Sequence, residues 1–185
     1  MSLSHYNRHG ARVTERSFYK AVTVDESDLL GVLVERLTSL EIPYCVIGGQ
    51  GVNAYVDPLV SLDLDVVVAA DRIDEVLAAL PSSVSVERFP HSVNVLHRGS
   101  GLRIQFQLDP RYATFPGRAT ARVVLGTTLR VAAVEDVLDG KVWAASDPSR
   151  RASKRQKDLA DIARLIEQFP ELRSRVPRPI LDKLV

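Results

Sequence analysis

The stretch Leu62-Asp63-Leu64-Asp65-Val66-Val67-Val68-Ala69 limits the fold more than any other part of the chain. Its β-branched run favours a strand. Alternate side chains of a strand share a face, so Asp63 and Asp65 project together while Leu64 and Val66 project the other way. Carboxylates held that close repel each other and cost stability unless a cation sits between them. Upstream, the apolar run Tyr44 to Ile47 predicts a short buried strand that breaks at Gly48-Gly49-Gln50-Gly51, with Val52 to Tyr55 forming one or two helical turns. Glycines let the backbone approach an anion closely, and the N–H groups of the following turn favour it. Mg²⁺ takes carboxylate and phosphate oxygens together. The two features therefore predict a platform for a nucleoside triphosphate with Mg²⁺ or Mn²⁺, metal ligands Asp63 and Asp65. Taken singly, each has a blander reading: a solvated strand face and a tight turn.

The remaining pattern predicts an α+β fold. Asp25 and Asp28 precede Leu29, Leu30, Leu33, Val34 and Leu37, a capped helix ending near Glu41 before Pro43. Ile73, Val76, Leu77 and Leu80 recur at helical spacing between Asp71 and Pro81. Strand-like runs follow at 83–89, 92–97 and 101–108, with Arg98-Gly99-Ser100-Gly101 supplying hairpin-turn chemistry between the last two. Short strands at 122–125 and 129–131 flank Gly126-Thr127-Thr128. From Val134 the pattern is helical: about 134–146, about 153–169, and a short helix within 177–185. This order predicts a mixed β-sheet with flanking helices and a C-terminal helical segment. The expected division is an N-terminal arm over 1–24, an α/β core over 25–132, and the helical segment over 133–185.

A chain of 185 residues, 45% hydrophobic, suits one domain with a real core. A net charge of +1 gives no global attraction to nucleic acid or membrane, which leaves local patches to carry any electrostatic argument. The single cysteine, Cys45, lies in an apolar run and reads as a core residue in a reducing compartment. No apolar stretch suits a membrane span and no signal segment is visible, so the expected location is the cytoplasm.

On Gly48-Gly49-Gln50-Gly51-Val52, Ser61-Leu62-Asp63-Leu64-Asp65, Lys141 and Lys157-Asp158-Leu159-Ala160-Asp161-Ile162, the sequence resembles the nucleotidyltransferase superfamily that includes DNA polymerase beta and antibiotic adenylyltransferases. Its small bacterial branch related to AbiE-type toxins looks most similar. The resemblance spans roughly residues 25–170 and implies a nucleotidyltransferase-like core. It further implies that Gly48, Gly49, Gln50, Ser61, Lys141, Lys157 and Asp158 meet the nucleotide, and that Lys141 and Asp161 belong with Asp63 and Asp65 in the catalytic set. The activity implied is transfer of a nucleoside monophosphate from a nucleoside triphosphate to a hydroxyl or phosphate acceptor, either RNA such as tRNA or a small molecule. A cognate antitoxin is the partner that the toxin-like version implies.

Catalytic members of the superfamily carry a third carboxylate on a neighbouring strand. The matching strand here alternates Leu102, Ile104, Phe106 and Leu108 with Arg103, Gln105, Gln107 and Asp109. Gln105 or Gln107 stands where that acid belongs, and neither can act as a general base. Asp109 has the right parity and is the candidate displaced acid, although Asp109-Pro110 also reads as a turn starter. Two readings follow: a working transferase, or a catalytically impaired module that binds a nucleotide or a protein partner. A third treats the acidic pair as incidental. Lys141 has an alternative as a snorkelling lysine, and the charges of the last long helix have one as i, i+3 and i+4 ion pairs. Arg150, Arg151, Lys154, Arg155 and Lys157 form a basic patch suited to phosphates, or to solvent alone.

Overall fold

The computed structural model describes residues 28–184. The expected arm over 1–24 and the capping Asp25 lie outside the described residues. Helix α1 (Leu29–Ser39) turns its Leu29, Leu30, Leu33 and Leu37 stripe inward. Strand β1 (Tyr44–Ile47) runs without a break into α2 (Gly48–Asn53). Strand β2 (Asp63–Val68) follows a loop and leads through a 3₁₀ turn into α3 (Ile73–Ala78). Next come β3 (Val84–Phe89), β4 (Ser92–His97) and β5 (Arg103–Gln107), the short helix α4 (Phe115–Arg118), and the hairpin β6 (Thr120–Val124) with β7 (Thr127–Val131). Helices α5 (Val134–Ser146), α6 (Ala152–Gln168) and α7 (Arg178–Leu181) complete the order.

The strands form one seven-stranded sheet in the order β3-β4-β5-β2-β1-β7-β6. Strands β2 and β5 pair in parallel, as do β1 and β7; the other neighbours are antiparallel. The fold is thus α+β with a mixed sheet and flanking helices. One face carries Leu64, Val66, Val95, Ile104 and Phe106 against α1 and α3. The other carries Cys45, Ile47 and Val67 against α2, α4, α5 and α6. Each strand of the central pair therefore has two buried faces, which is why β1 and the Val66-Val67-Val68 end of β2 read as continuous apolar runs. Cys45 sits in the second layer, and its burial, with Asp136 nearby, pushes the thiol up to about 12.

The β6–β7 connection departs from the expected Gly126-Thr127-Thr128 loop. Leu125 and Gly126 both have positive φ, 54° and 68°, the conformation of a two-residue hairpin turn whose twist matches its strands. The connection is consequently two residues rather than three, and the second strand starts at Thr127 rather than Leu129. No helix among the described residues is long and apolar enough to cross a membrane.

Candidate active site

The acidic pair faces the helical layer, at the end of β2 where that layer leaves a cleft. About 230 Å³ of space is enclosed there by residues that include Gly49, Ser61, Asp63, Asp65, Lys141 and Lys157. Parallel pairing sets Asp63 beside Arg103 and Asp65 beside Gln105. The position expected to hold a third acid is therefore filled by Gln105, a carboxamide lining the same cleft.

Local backbone geometry explains the glycine turn. Gly48 has φ +63°, and a Cβ built there would lie 1.9 Å from Asp65 Oδ2. The carboxylate of Asp65 thus occupies the space a side chain at 48 needs. At Gly49 a Cβ would meet Lys157 Nζ and Ser61 Oγ at ordinary contact distance, 3.7 Å each, so backbone, hydroxyl and ammonium converge at one point. A Gly48→Ala substitution is expected to cost about 1–3 kcal/mol from the left-handed backbone alone. It also displaces Asp65, so the urea midpoint should fall.

Charges around the pair are unequal. Asp63 Oδ1 accepts two hydrogen bonds from Arg103, at 2.9 Å from Nε and 2.7 Å from Nη2, and Lys154 Nζ stands 3.7 Å from Oδ2. Asp65 has no ion pair among the described residues. Burial raises its pKa above the ordinary carboxylate range; Lys141 works against that rise and Asp63 adds to it. The folded state consequently holds the Asp65 proton more tightly than the unfolded chain. The contribution of this group to stability is fully present below the ordinary value and is lost as pH rises through the raised one. Above that raised value the ionised Asp65 is a cost of the site, and Asp65→Asn is expected to raise the melting temperature there.

Behind the cleft lies a buried ionic cluster. Lys141 Nζ donates to Asp158 Oδ1 at 3.0 Å and lies 2.7 Å from Asp161 Oδ2. Arg150 Nε donates to Asp158 Oδ2 at 2.9 Å, and Arg164 Nη1 to Asp161 Oδ1 at 2.9 Å. Burial opposes the charge on Lys141, but Asp161 and Asp158 more than offset it, and the net shift is upward. Lys141 is therefore a fixed cation rather than a snorkelling lysine.

The basic patch divides. Arg150, Lys154 and Lys157 line the cleft, whereas Arg155 donates to the carbonyls of Asp147 and Pro148 at the start of α6. Three of the expected site residues lie outside the cleft lining. Asp109 does not line the cleft: it accepts from the Arg111 backbone N–H at 2.9 Å and from the Arg111 guanidinium, capping the 110–112 turn. The turn-starter reading wins because the strand has ended and the local donors are nearer than the acidic pair. Gln50 is buried, and its Nε2 donates to the Ser61 carbonyl at 2.9 Å, so it braces the loop and does not itself face the cleft. Asp161 stands behind Lys141 and likewise does not line the cleft. Arg103 and Asn94 line it without having been singled out as site residues. Arg103 was visible only as one member of a polar strand face. Asn94 gave no signal beyond its alternation with Val93 and Val95.

The donor set fits one hard divalent cation shared with phosphate oxygens, since Mg²⁺ is commonly held by one or two carboxylates plus phosphates. Among the described residues no group of three or more His, Cys, Asp or Glu side chains is placed to hold a metal by itself.

No protein-family model matches this sequence, and no curated protein matches it. Solved structures do match. The solution structure of the antibiotic-resistance factor ANT(2″)-Ia superposes with a TM-score of 0.56 at 14% identity, over 80% of this chain and 88% of that one. The crystal structure of ANT(2″)-Ia in complex with adenylyl-2″-tobramycin gives 0.53 at 15% identity, over 80% and 96%. JHP933 from Helicobacter pylori gives 0.50 at 19% identity, over 80% and 68%. At these identities the likeness is one of fold: this chain shares the mixed sheet and flanking helices of those structures.

Proposed function

We propose that this chain is a metal-dependent nucleotidyltransferase that moves a nucleoside monophosphate from a nucleoside triphosphate to an acceptor hydroxyl. The observation that carries the reading is the convergence of the acidic pair with Gly49, Ser61, Lys154 and Lys157 on one cleft. Asp63 and Asp65 would hold Mg²⁺ or Mn²⁺, which when bound neutralises phosphate charge and orients the phosphates. The chain's own part is mostly positioning. The Gly48-Gly49 turn admits phosphate oxygens to the backbone, and the Ser61 hydroxyl adds a donor beside it. Lys154 and Lys157 on α6 offset the negative charge of the phosphates, while Lys141, fixed by Asp158 and Asp161, supplies a permanent positive field beneath Asp65. Arg103 neutralises Asp63 across the strand pair and must share that carboxylate with an arriving cation. The acceptor oxygen attacks the α-phosphorus, the bond to the α–β bridging oxygen breaks, and pyrophosphate departs with the electron pair. The acceptor proton leaves to solvent water, because Gln105 cannot take it.

A specific observation favours a second reading, in which the site binds nucleotide without efficient transfer: Gln105 in register with Asp65. A toxin-like transferase acting on RNA and held by an antitoxin is the finer version that the sequence resemblance implies. Its support among the described residues is the basic group Arg150, Lys154 and Lys157, which the triphosphate also requires.

Calorimetric titration with ATP, GTP, CTP and UTP, with and without Mg²⁺, tests the reading against an Asp63→Asn/Asp65→Asn chain. Magnesium-dependent binding of at least one nucleotide, abolished by the double substitution, is the expected result. Binding should weaken with proton uptake as pH falls through the raised Asp65 value, that is, before an ordinary aspartate with pKa about 4 would respond. A folded protein that binds none of the four nucleotides overturns the proposal.

A further inference from the structure

We infer, building on the nucleotidyl-transfer reading, that Arg164 is a positioning residue. It ties the loop that carries Ser61 to the ionic cluster behind the cleft, and so sets the Ser61 hydroxyl against the phosphates.

The loop over 54–62 joins α2 to β2 and places Ser61 at the cleft. Little within the loop fixes it there. Asp57, Pro58, Leu59 and Val60 are all exposed, Leu59 to 57% and Val60 to 77%, so burial of these side chains does not hold the segment. Among the described residues, the backbone of 57–61 makes no hydrogen bond to other backbone. The Ser61 hydroxyl donates to the Asp63 carbonyl at 3.5 Å and accepts from the Asp63 N–H at 3.4 Å, long contacts for hydrogen bonds. Its placement therefore follows from where the loop backbone lies.

Side chains from outside the loop supply the frame. Asn53 clamps Leu59 at both backbone groups: its Nδ2 donates to the carbonyl at 2.7 Å, and its Oδ1 accepts from the N–H at 3.0 Å. Gln50 holds the Ser61 carbonyl. Arg164, on α6, reaches this frame with one nitrogen: Nη2 donates to the Asp57 carbonyl and, at 3.4 Å, to Asn53 Oδ1. Its other terminal nitrogen, Nη1, donates to Asp161 Oδ1, and Asp161 Oδ2 lies against Lys141. A continuous path thus runs from Lys141 at the cleft through Asp161, Arg164 and Asn53 to Leu59, two residues before Ser61. Helical spacing makes the path possible. Lys157, Asp161 and Arg164 follow at intervals of four and three, so one face of α6 offers both a cation for the phosphates and the anchor for the loop. A guanidinium suits the anchor because its planar fork serves two directions at once with fixed geometry, whereas an ammonium is a point charge.

The test is a double-substitution cycle on triphosphate affinity, read by calorimetry in the full chain with Mg²⁺ and the tightest-binding of ATP, GTP, CTP and UTP. Arg164→Met and Ser61→Ala are each expected to weaken binding about tenfold, the worth of one hydrogen bond to a charged group. Together they are expected to weaken it about tenfold again, not about a hundredfold, because Arg164 acts through Ser61. Asn53→Ala should behave as Arg164→Met does in the cycle. It leaves the Arg164–Asp161 pair in place, and so carries the test if Arg164→Met does not fold. Without nucleotide, the Leu59 amide, which donates to Asn53, is expected to exchange its hydrogen faster in either variant. Independent losses that multiply to about a hundredfold overturn the inference, since a residue that merely stabilises the fold does not act through Ser61. So does an Arg164→Met chain that binds the triphosphate as tightly as the parent. Both outcomes leave the transfer reading standing. A parent chain that binds none of the four nucleotides removes both.

Discussion

Gln105→Glu is expected to transfer nucleotide about 10²–10⁴-fold faster than the parent chain, the usual contribution of a positioned general base. The substitution is nearly isosteric, and position 105 is in register with Asp65 on the parallel neighbour strand. The new carboxylate joins the acidic pair, and like charges raise its pKa toward neutrality, where a base works best. Pyrophosphate release measured across pH separates the two chains. The parent's rate should climb with pH through the neutral range, since its acceptor proton goes to solvent. The variant's rate should level off once the new glutamate has ionised. A Gln105→Glu chain that binds nucleotide yet is no faster than the parent favours the module that binds without transferring.

Lys141→Met is expected to cost about 3–5 kcal/mol, the scale for removing one member of a buried ion pair. The ammonium is 8% exposed, and its partners Asp158 and Asp161 are 3% and 4% exposed. Arg150 and Arg164 stay bonded to those acids, which places the loss at the lower end of the range. The measurement is the urea midpoint, with the slope checked to be unchanged. Because the Lys141 pKa is raised, its contribution is fully present below the unfolded value of about 10.4 and is lost only as pH rises through the higher folded one. The deficit of Lys141→Met should therefore hold from neutral pH into the alkaline range. Adding Asp161→Asn should recover part of it, since the second change removes one of the two charges left behind. Full additivity of the two losses would mean that the pair is not coupled.

Much of this was legible in residue order. The β1–glycine–α2–β2 unit carries its own signals, since apolar runs, Gly48-Gly49 and the parity of Asp63 with Asp65 each follow from local geometry. Helix α5 begins and ends where periodicity put it, at Val134 and Ser146. What stayed hidden depends on partners distant in the chain. The role of Gln105 follows only from the parallel register of β2 with β5, and Asn94 enters the cleft through the antiparallel register of β4 with β5. The same parity that suggested Asp109 failed because strand pairing ends at Gln107, and beyond it parity no longer fixes direction. Gln50 carried the expected motif, yet its amide turns toward the Ser61 carbonyl, a contact eleven residues away that spacing cannot reveal. Helix α4 was missed because Phe115-Pro116-Gly117-Arg118 is too short for periodicity and contains two residues that usually break helices.

The cleft is assembled from both ends of the described chain, and that bears on synthesis. A ribosome releases Asp63 and Asp65 long before the residues of α6 emerge, and early segments begin to organise first. During that interval the sheet carries a repelling acidic pair, and the layer containing Val67 lacks the apolar stripe of α6 that later covers it. Arrival of Lys154, Lys157 and Asp158 closes the cleft, neutralises its rim and anchors Lys141 in one docking event. The cleft is thus completed only when α6 has emerged, and a nascent chain stalled before α6 presents the acids without Lys154 and Lys157.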